Sequence, residues 1–182
     1  MVSKLAVIAG PTAVGKGTVV QHLLTEHPEI KLSISATTRA PRPGEVDGVH
    51  YYFWSQERFD QAIAQGELLE YATVHGSNRY GTPRKPVEDA LARGEKVVLE
   101  IDIQGAKQVK SVMPEALTIF IMPPSWDELV RRLNTRGTEN EAEQAKRLET
   151  AVVELAAADS FEFQVINDDV DKCAAKVLEL MS

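Results

Sequence analysis

The stretch from Leu5 to Thr18, Leu-Ala-Val-Ile-Ala-Gly-Pro-Thr-Ala-Val-Gly-Lys-Gly-Thr, constrains the fold more than any other part of the chain. Leu5 to Ala9 is a continuous apolar run, the pattern of a strand buried on both faces as in parallel sheets. A glycine-spaced turn, G-x-x-x-x-G-K, follows it directly, and a helical pattern from Lys16 to Leu24 follows the turn. Such a loop, made of Gly10, Pro11, Thr12, Ala13, Val14, Gly15, Lys16, Gly17 and Thr18, is suited to cradle phosphate. Its glycines allow a tight turn with amide N–H groups pointing inward, the helix N-terminus adds positive partial charge, and Lys16 adds a full one. The competing reading is a turn that merely caps a strand; the strand–loop–helix context favours the cradle.

Similar apolar runs recur at Val97–Leu99, Leu117–Met122 and Phe163–Ile166. Helical patterns lie between them: Val87–Ala92, Ser125–Arg132, and a final helix with Val170, Cys173, Ala174, Val177, Leu178 and Met181 on one face. Strands alternating with helices predict an α/β fold with a largely parallel sheet flanked by helices. Ser125 with Glu128, and Thr138 with Glu141, have the spacing of capping boxes.

Two segments break the alternation. Residues 35–82 are rich in Arg, Pro, Gly and Tyr, with strand-like pieces at Tyr51–Trp54 and Leu68–Val74 and a helix at Glu57–Ala64. They read as a small inserted subdomain. Residues 131–147 are charged, with Gly137 between two helical patterns, and read as a mobile lid. The core is then 1–34, 83–130 and 148–182, all within one domain.

The chain has 182 residues, a net charge of −7 and one cysteine. The acidic balance argues against a nucleic-acid backbone as ligand. A single cysteine excludes an intrachain disulfide and fits a reducing, cytoplasmic compartment. No stretch is long enough to span a membrane. The four histidines, His22, His27, His50 and His75, have no zinc-ligand spacing. Trp54 and Trp126 read as packing residues, and both a monomer and a homo-oligomer are compatible with the sequence.

Val97-Val98-Leu99-Glu100-Ile101-Asp102 ends a buried strand in two acids. Residues i and i+2 share a face, so Glu100 and Asp102 project together at the strand's C-terminal end, where open α/β sheets bind ligands. They read either as solvated acids or, beside a phosphate cradle, as a Mg²⁺ outer sphere or a substrate-recognition pair. The Ser or Thr that usually follows the cradle lysine, and often touches Mg²⁺, is Gly17 here. The metal is therefore expected on phosphates and water, near Thr18 and Glu100, without a direct protein ligand.

Ser35-Ala36-Thr37-Thr38-Arg39-Ala40-Pro41-Arg42-Pro43-Gly44-Glu45, with Gly48, Tyr51 and Phe53, comes next. By composition alone this is a solvated basic loop with aromatic packing. Together with the cradle it closely resembles the guanylate kinases. Leu69-Glu70-Tyr71-Ala72, Arg79-Tyr80-Gly81-Thr82, Asp102-Ile103-Gln104-Gly105, Arg136-Gly137-Thr138-Glu139 and Asn167-Asp168-Asp169 extend the resemblance in order along nearly the whole chain.

The resemblance implies a P-loop kinase fold with a GMP-binding subdomain, and transfer of the γ-phosphoryl group of Mg·ATP to GMP and dGMP. It implies that Arg39, Arg42, Tyr51 and Tyr80 hold the GMP phosphate. Glu70 and Asp102 then accept from the guanine N1–H and amine, with Glu100 nearby, and Ser35 and Thr82 donate toward O6 or N7. Arg136 and Arg147, with Arg132, reach the ATP phosphates, and Asn167 meets the adenine. Lys16, Arg39, Arg136 and Arg147 carry catalysis. Competing readings are surface ion pairs of Arg131, Arg132, Arg136 and Arg147 with Glu139, Glu141, Glu143 and Glu149, and a helix-capping role for Asn167. The rival functions are an inactive protein-binding module of the same fold and a kinase for another nucleoside monophosphate.

Overall fold

The computed structural model describes residues 4–74, 77–134 and 141–182. Arg136, Gly137, Thr138 and His75 lie outside the described residues. In chain order the elements are β1 (Leu5–Ala9), α1 (Lys16–Glu26), β2 (Ile30–Leu32), β3 (Ala36–Thr37), β4 (Tyr52–Phe53), α2 (Gln56–Ala64), β5 (Leu68–Val74) and β6 (Asn78–Pro83). Then come α3 (Arg84–Ala92), β7 (Lys96–Glu100), α4 (Ile103–Val112), β8 (Leu117–Met122), α5 (Trp126–Asn134), α6 (Glu141–Ala156), β9 (Phe163–Ile166) and α7 (Val170–Leu180).

Among the described residues, five strands form a parallel sheet in the order β2-β7-β1-β8-β9. The continuous apolar runs have a direct cause. Successive side chains of a strand face opposite sides, and here both sides are covered. Ala6, Ile8, Val98, Ile119 and Ile121 pack with Val19, Val20 and Leu23 of α1 and Cys173 and Val177 of α7. Their neighbours Leu5, Val7, Val97, Leu99 and Phe120 pack on the other face with Val87 of α3 and Val109 of α4. Each fully buried Val, Leu or Ile contributes about 1.5–3 kcal/mol, so a charge placed in β1 or β8 has no face to escape to. Cys173 is buried, and burial pushes its thiol up to about 11, as an inert core residue requires.

Residues 36–83 build a second sheet, ordered β4-β3-β6-β5, with a small core of Ala36, Phe59, Ala62 and Leu68. In β6, Gly81 admits the neighbouring strand, because a Cβ there would stand 2.8 Å from the Glu70 carbonyl oxygen. Trp54 packs edge-on against Phe59, with ring centroids 6.0 Å apart. Trp126, expected to pack, is 41% exposed in the first turn of α5.

Caps set the helix starts. Ser55, Asp102 and Asp169 accept from the amides of Arg58, Gly105 and Lys172. Ser125 accepts from Glu128 N at 3.2 Å, one half of the expected capping box. The cap before Val170 is therefore Asp169, not Asn167. Helix α3 begins three residues earlier than its apolar pattern, at Arg84; Pro86 sits in its first turn, where a missing N–H costs nothing.

Candidate active site

The cradle between β1 and α1 is shaped by two left-handed residues, Ala13 (φ 66°) and Gly15 (φ 89°). A Cβ at Gly15 would also lie 2.8 Å from Asn167 Nδ2. The Val14 carbonyl accepts from Asn167 Nδ2 and from Arg132 Nη1, each at 2.9 Å. The loop is thus pinned by the end of β9 and by α5. Asn167 is 3% exposed, and its amide is turned to this task. Thr12, Gly17 and Thr18 are exposed at the mouth.

Residues 10–18 line a cavity of about 390 Å³ together with Asp102, Ile103 and Glu154. Lys16 Nζ donates to the Ile101 carbonyl at 3.2 Å. Burial pulls the Lys16 ammonium below its ordinary pKa, while the charges of Glu100, Asp102 and Glu154 oppose that loss. Glu100 ends β7 and Asp102, beyond the strand, caps α4, so the expected shared strand face does not form; the charges of both act on the same lysine. Glu100 Oε1 stands 3.4 Å from where a Cβ on Gly17 would be, so this acid adjoins the position the usual hydroxyl would hold.

Beyond Asp102 lies a second polar cluster. Glu70 on β5 is 6% exposed, and Thr82 on β6 is 1% exposed. Thr82 Oγ1 donates to Glu70 Oε1 at 2.7 Å. A Cβ on Gly105 would lie 2.8 Å from Glu70 Oε2 and 3.2 Å from Asp102 Oδ1, so the two carboxylates flank one bare helical residue. Burial raises the Glu70 carboxyl to about 7; the Thr82 hydroxyl works against that rise, and the Asp102 charge adds to it. Two acids held this close together call for hydrogen-bond donors from a ligand.

A third cluster sits on the second sheet. The Arg39 guanidinium lies 5.2 Å from the Tyr51 ring centroid and 5.8 Å from that of Phe53, and the Tyr51 and Tyr80 rings are 6.1 Å apart. Arg39 forms a two-pronged pair with Glu45, both bonds at 2.9 Å. That pair and the Arg42 amide bring the Glu45 carboxyl down to about 2. The Arg39 Nε is buried and finds no hydrogen-bond acceptor among the described residues, which leaves a donor for a ligand. Arg42 is exposed and Ser35 half-buried beside this group. Arg79 is engaged elsewhere, paired with Asp60 and lying 4.7 Å over the Phe59 ring.

In the charged segment, Arg131 and Arg132 both pair with Glu128. Arg147 is half-buried on α6. Three residues to which the sequence gives no part in the site shape it: Glu45, Glu128, read there only as a capping-box residue, and Glu154. Glu128 is findable, because it stands three and four residues before the arginines it holds. Glu45 lies within the motif read for its arginines. Glu154 carries no local signal.

Comparison with known proteins agrees with this geometry. The family described as Guanylate kinase matches residues 2–182. A guanylate kinase of Leifsonia xyli subsp. xyli is 60% identical over 97% of this chain and 70% of its own length. One from Cutibacterium acnes is 58% identical over 98% of this chain and 89% of its own. The crystal structure of guanylate kinase from Anaplasma phagocytophilum superposes with a TM-score of 0.77 at 32% identity, covering 99% of this chain and 85% of that one. A shikimate kinase from Bacteroides thetaiotaomicron, at 16% identity and a TM-score of 0.50 over 97% of this chain and 96% of its own, is alike in fold alone. With a match spanning the described cradle, the second sheet and both ends of the chain, this protein belongs to the guanylate kinase family.

Proposed function

We propose that the protein transfers the γ-phosphoryl group of ATP to GMP, and to dGMP, giving ADP and GDP. One observation carries the reading: Asp102 lines the phosphate-cradle cavity and also faces Glu70 across Gly105. A donor triphosphate and a guanine-bearing acceptor bound on its two sides are therefore neighbours.

In this reading Lys16 and the cradle amides other than that of Thr12, which is bonded to Glu154, take the ATP phosphates. Arg39 and Arg42, with Tyr51 and Tyr80, take the GMP phosphate, where a planar fork and phenol donors match tetrahedral oxygens. Ionised Glu70 and Asp102 accept from the guanine N1–H and amine, and Ser35 and Thr82 donate to the other edge. Adenine presents a lone pair at N1 and would leave Glu70 unpaired, a strong basis for rejection. The acceptor phosphate oxygen is already anionic near neutral pH, so the protein needs no general base. Its work is alignment, charge neutralisation by Lys16 and the arginines, and exclusion of water. Arg147 and Arg136 belong to a lid spanning 131–147, and residues 35–82 to a GMP-binding subdomain. Asn167, whose side chain is committed to Val14, serves the adenine end by holding the loop.

Magnesium fits the donor chemistry. Among the described residues no three His, Cys, Asp or Glu side chains converge as a metal-binding set. Glu100 beside Gly17 suits a hydrated ion whose other oxygens come from phosphate. Bound there, the ion would offset charge on the phosphates. Among the described residues no helix is long and apolar enough to cross a membrane, and a cytoplasmic place in purine nucleotide metabolism follows from the proposed substrates.

Purified protein with Mg·ATP, offered GMP, dGMP, AMP, CMP and UMP separately, tests the proposal. Turnover of GMP and dGMP well above the others is expected. Preferential turnover of AMP, or no turnover at all, overturns it.

A further inference from the structure

One bond at the cradle has no part in the chemistry proposed for phosphoryl transfer. The amide of Thr12, in the phosphate loop, donates to Glu154 Oε2 at 2.9 Å, across 142 residues of sequence. A carboxylate in a cavity built for anions is unfavourable unless it does something there. The two partners differ in how they are held. Thr12 is exposed on a loop. Glu154 lies near the C-terminal end of α6, between Ala151, which is 0% exposed, and Leu155, which packs against both cores of the main sheet. The helix is the fixed partner and the loop is the one being held.

The rest of the loop is fastened at other points. Val14 N donates to the Pro11 carbonyl at 3.2 Å, and the Val14 carbonyl is clamped by Asn167 and Arg132. Thr12 is the position left for α6 to hold. Arg147 stands seven residues before Glu154 on the same helix, and residues i and i+7 share a helix face. At 1.5 Å per residue they are about 10 Å apart along the axis.

We propose that Glu154 is a positioning residue: through the Thr12 amide it fastens the phosphate cradle to α6 and so holds the loop that carries Lys16 in register with Arg147. The inference rests on reading the cavity as the site of the ATP phosphates. Its charge also helps to keep Lys16 protonated, since Glu154 is one of three acids acting on that ammonium. The bond matters because a misplacement of about 1 Å between charged groups and a transferring phosphoryl group costs roughly 100-fold in rate.

The test compares Glu154→Ala with Glu154→Gln, which keeps an acceptor oxygen for the Thr12 N–H. Calorimetric Kd values for Mg·ATP and for GMP, kcat, and Tm are measured on each. Glu154→Ala is expected to weaken Mg·ATP at least tenfold and lower kcat, with GMP affinity unchanged and Tm nearly so. Glu154→Gln is expected to recover most of the loss. Unchanged Mg·ATP affinity and kcat in Glu154→Ala overturn the proposal. Tighter Mg·ATP binding overturns it too, because Glu154 would then be a competitor for the cradle. Equal impairment of both variants also overturns it, because charge rather than the acceptor would be what counts. Failure of the wild-type protein to bind Mg·ATP would instead refute the functional reading, so the two failures are distinguishable.

Discussion

Replacing Glu70 by Gln tests the guanine site through the free protein's own stability. Burial holds the Glu70 carboxyl near 7 in the folded chain, against 4.5 when exposed. At 1.36 kcal/mol per pKa unit, that rise corresponds to about 3 kcal/mol. The sign follows from proton counting. Between pH 4.5 and 7 the folded state binds more protons at this position than the unfolded state, so stability falls as pH rises through that window and levels off above it. Glu70→Gln has no such titration. Its stability relative to wild type should therefore climb by up to about 3 kcal/mol between pH 4.5 and pH 8, in the variant's favour. Urea unfolding at a series of pH values measures this. A stability difference independent of pH would refute the argument that Glu70 is an unwilling anion awaiting a donor. The same variant should bind GMP more weakly at pH 8. In the wild type, GMP affinity should drop between pH 8 and pH 6 by roughly tenfold more than in Glu70→Gln, a comparison that cancels the titration of GMP itself.

Lys16→Met should remove roughly a thousandfold or more from kcat, the scale of losing a preorganised charge at the reacting phosphates, with Tm retained; near-normal turnover would show that the cradle lysine is not catalytic. Gly105→Ala places a Cβ 2.8 Å from Glu70 Oε2. It should raise KM for GMP while leaving KM for ATP alone, at a stability cost of about 1–3 kcal/mol. Adding Glu70→Asp, one methylene shorter, should recover part of the GMP affinity.

Signals confined to a few neighbouring residues are legible in the sequence. The runs at Leu5–Ala9 and Leu117–Met122 match β1 and β8 residue for residue, because burial on both faces leaves a largely apolar run with sharp edges; Phe163–Ile166 matches β9 in its bounds, but β9 is an edge strand in which only Val165 is buried. Helix α1 begins at Lys16, where the glycine turn ends. By contrast β2 and β3 are three and two residues long. Strands that short carry no period, and only their partners in the sheet make them strands. Helix α4 is hidden in the sequence because Gly105 and Ala106 blur its apolar stripe; the bare glycine serves the Glu70 carboxylate instead of the helix.

The sequence by itself determined the strand–cradle–helix unit, the parallel sheet and the residue types available to bind phosphate and guanine. These follow from local sterics, periodicity and side-chain chemistry. Only the tertiary structure decided which charges meet: Glu45 on Arg39, Glu70 with Asp102 across Gly105, and Glu154 on the Thr12 amide. Each such pairing depends on distances of a few ångströms between segments as far as 142 residues apart. Such distances are set by how packing brings α6 to the loop after β1 and β5 to the start of α4, and no pattern along the chain encodes them.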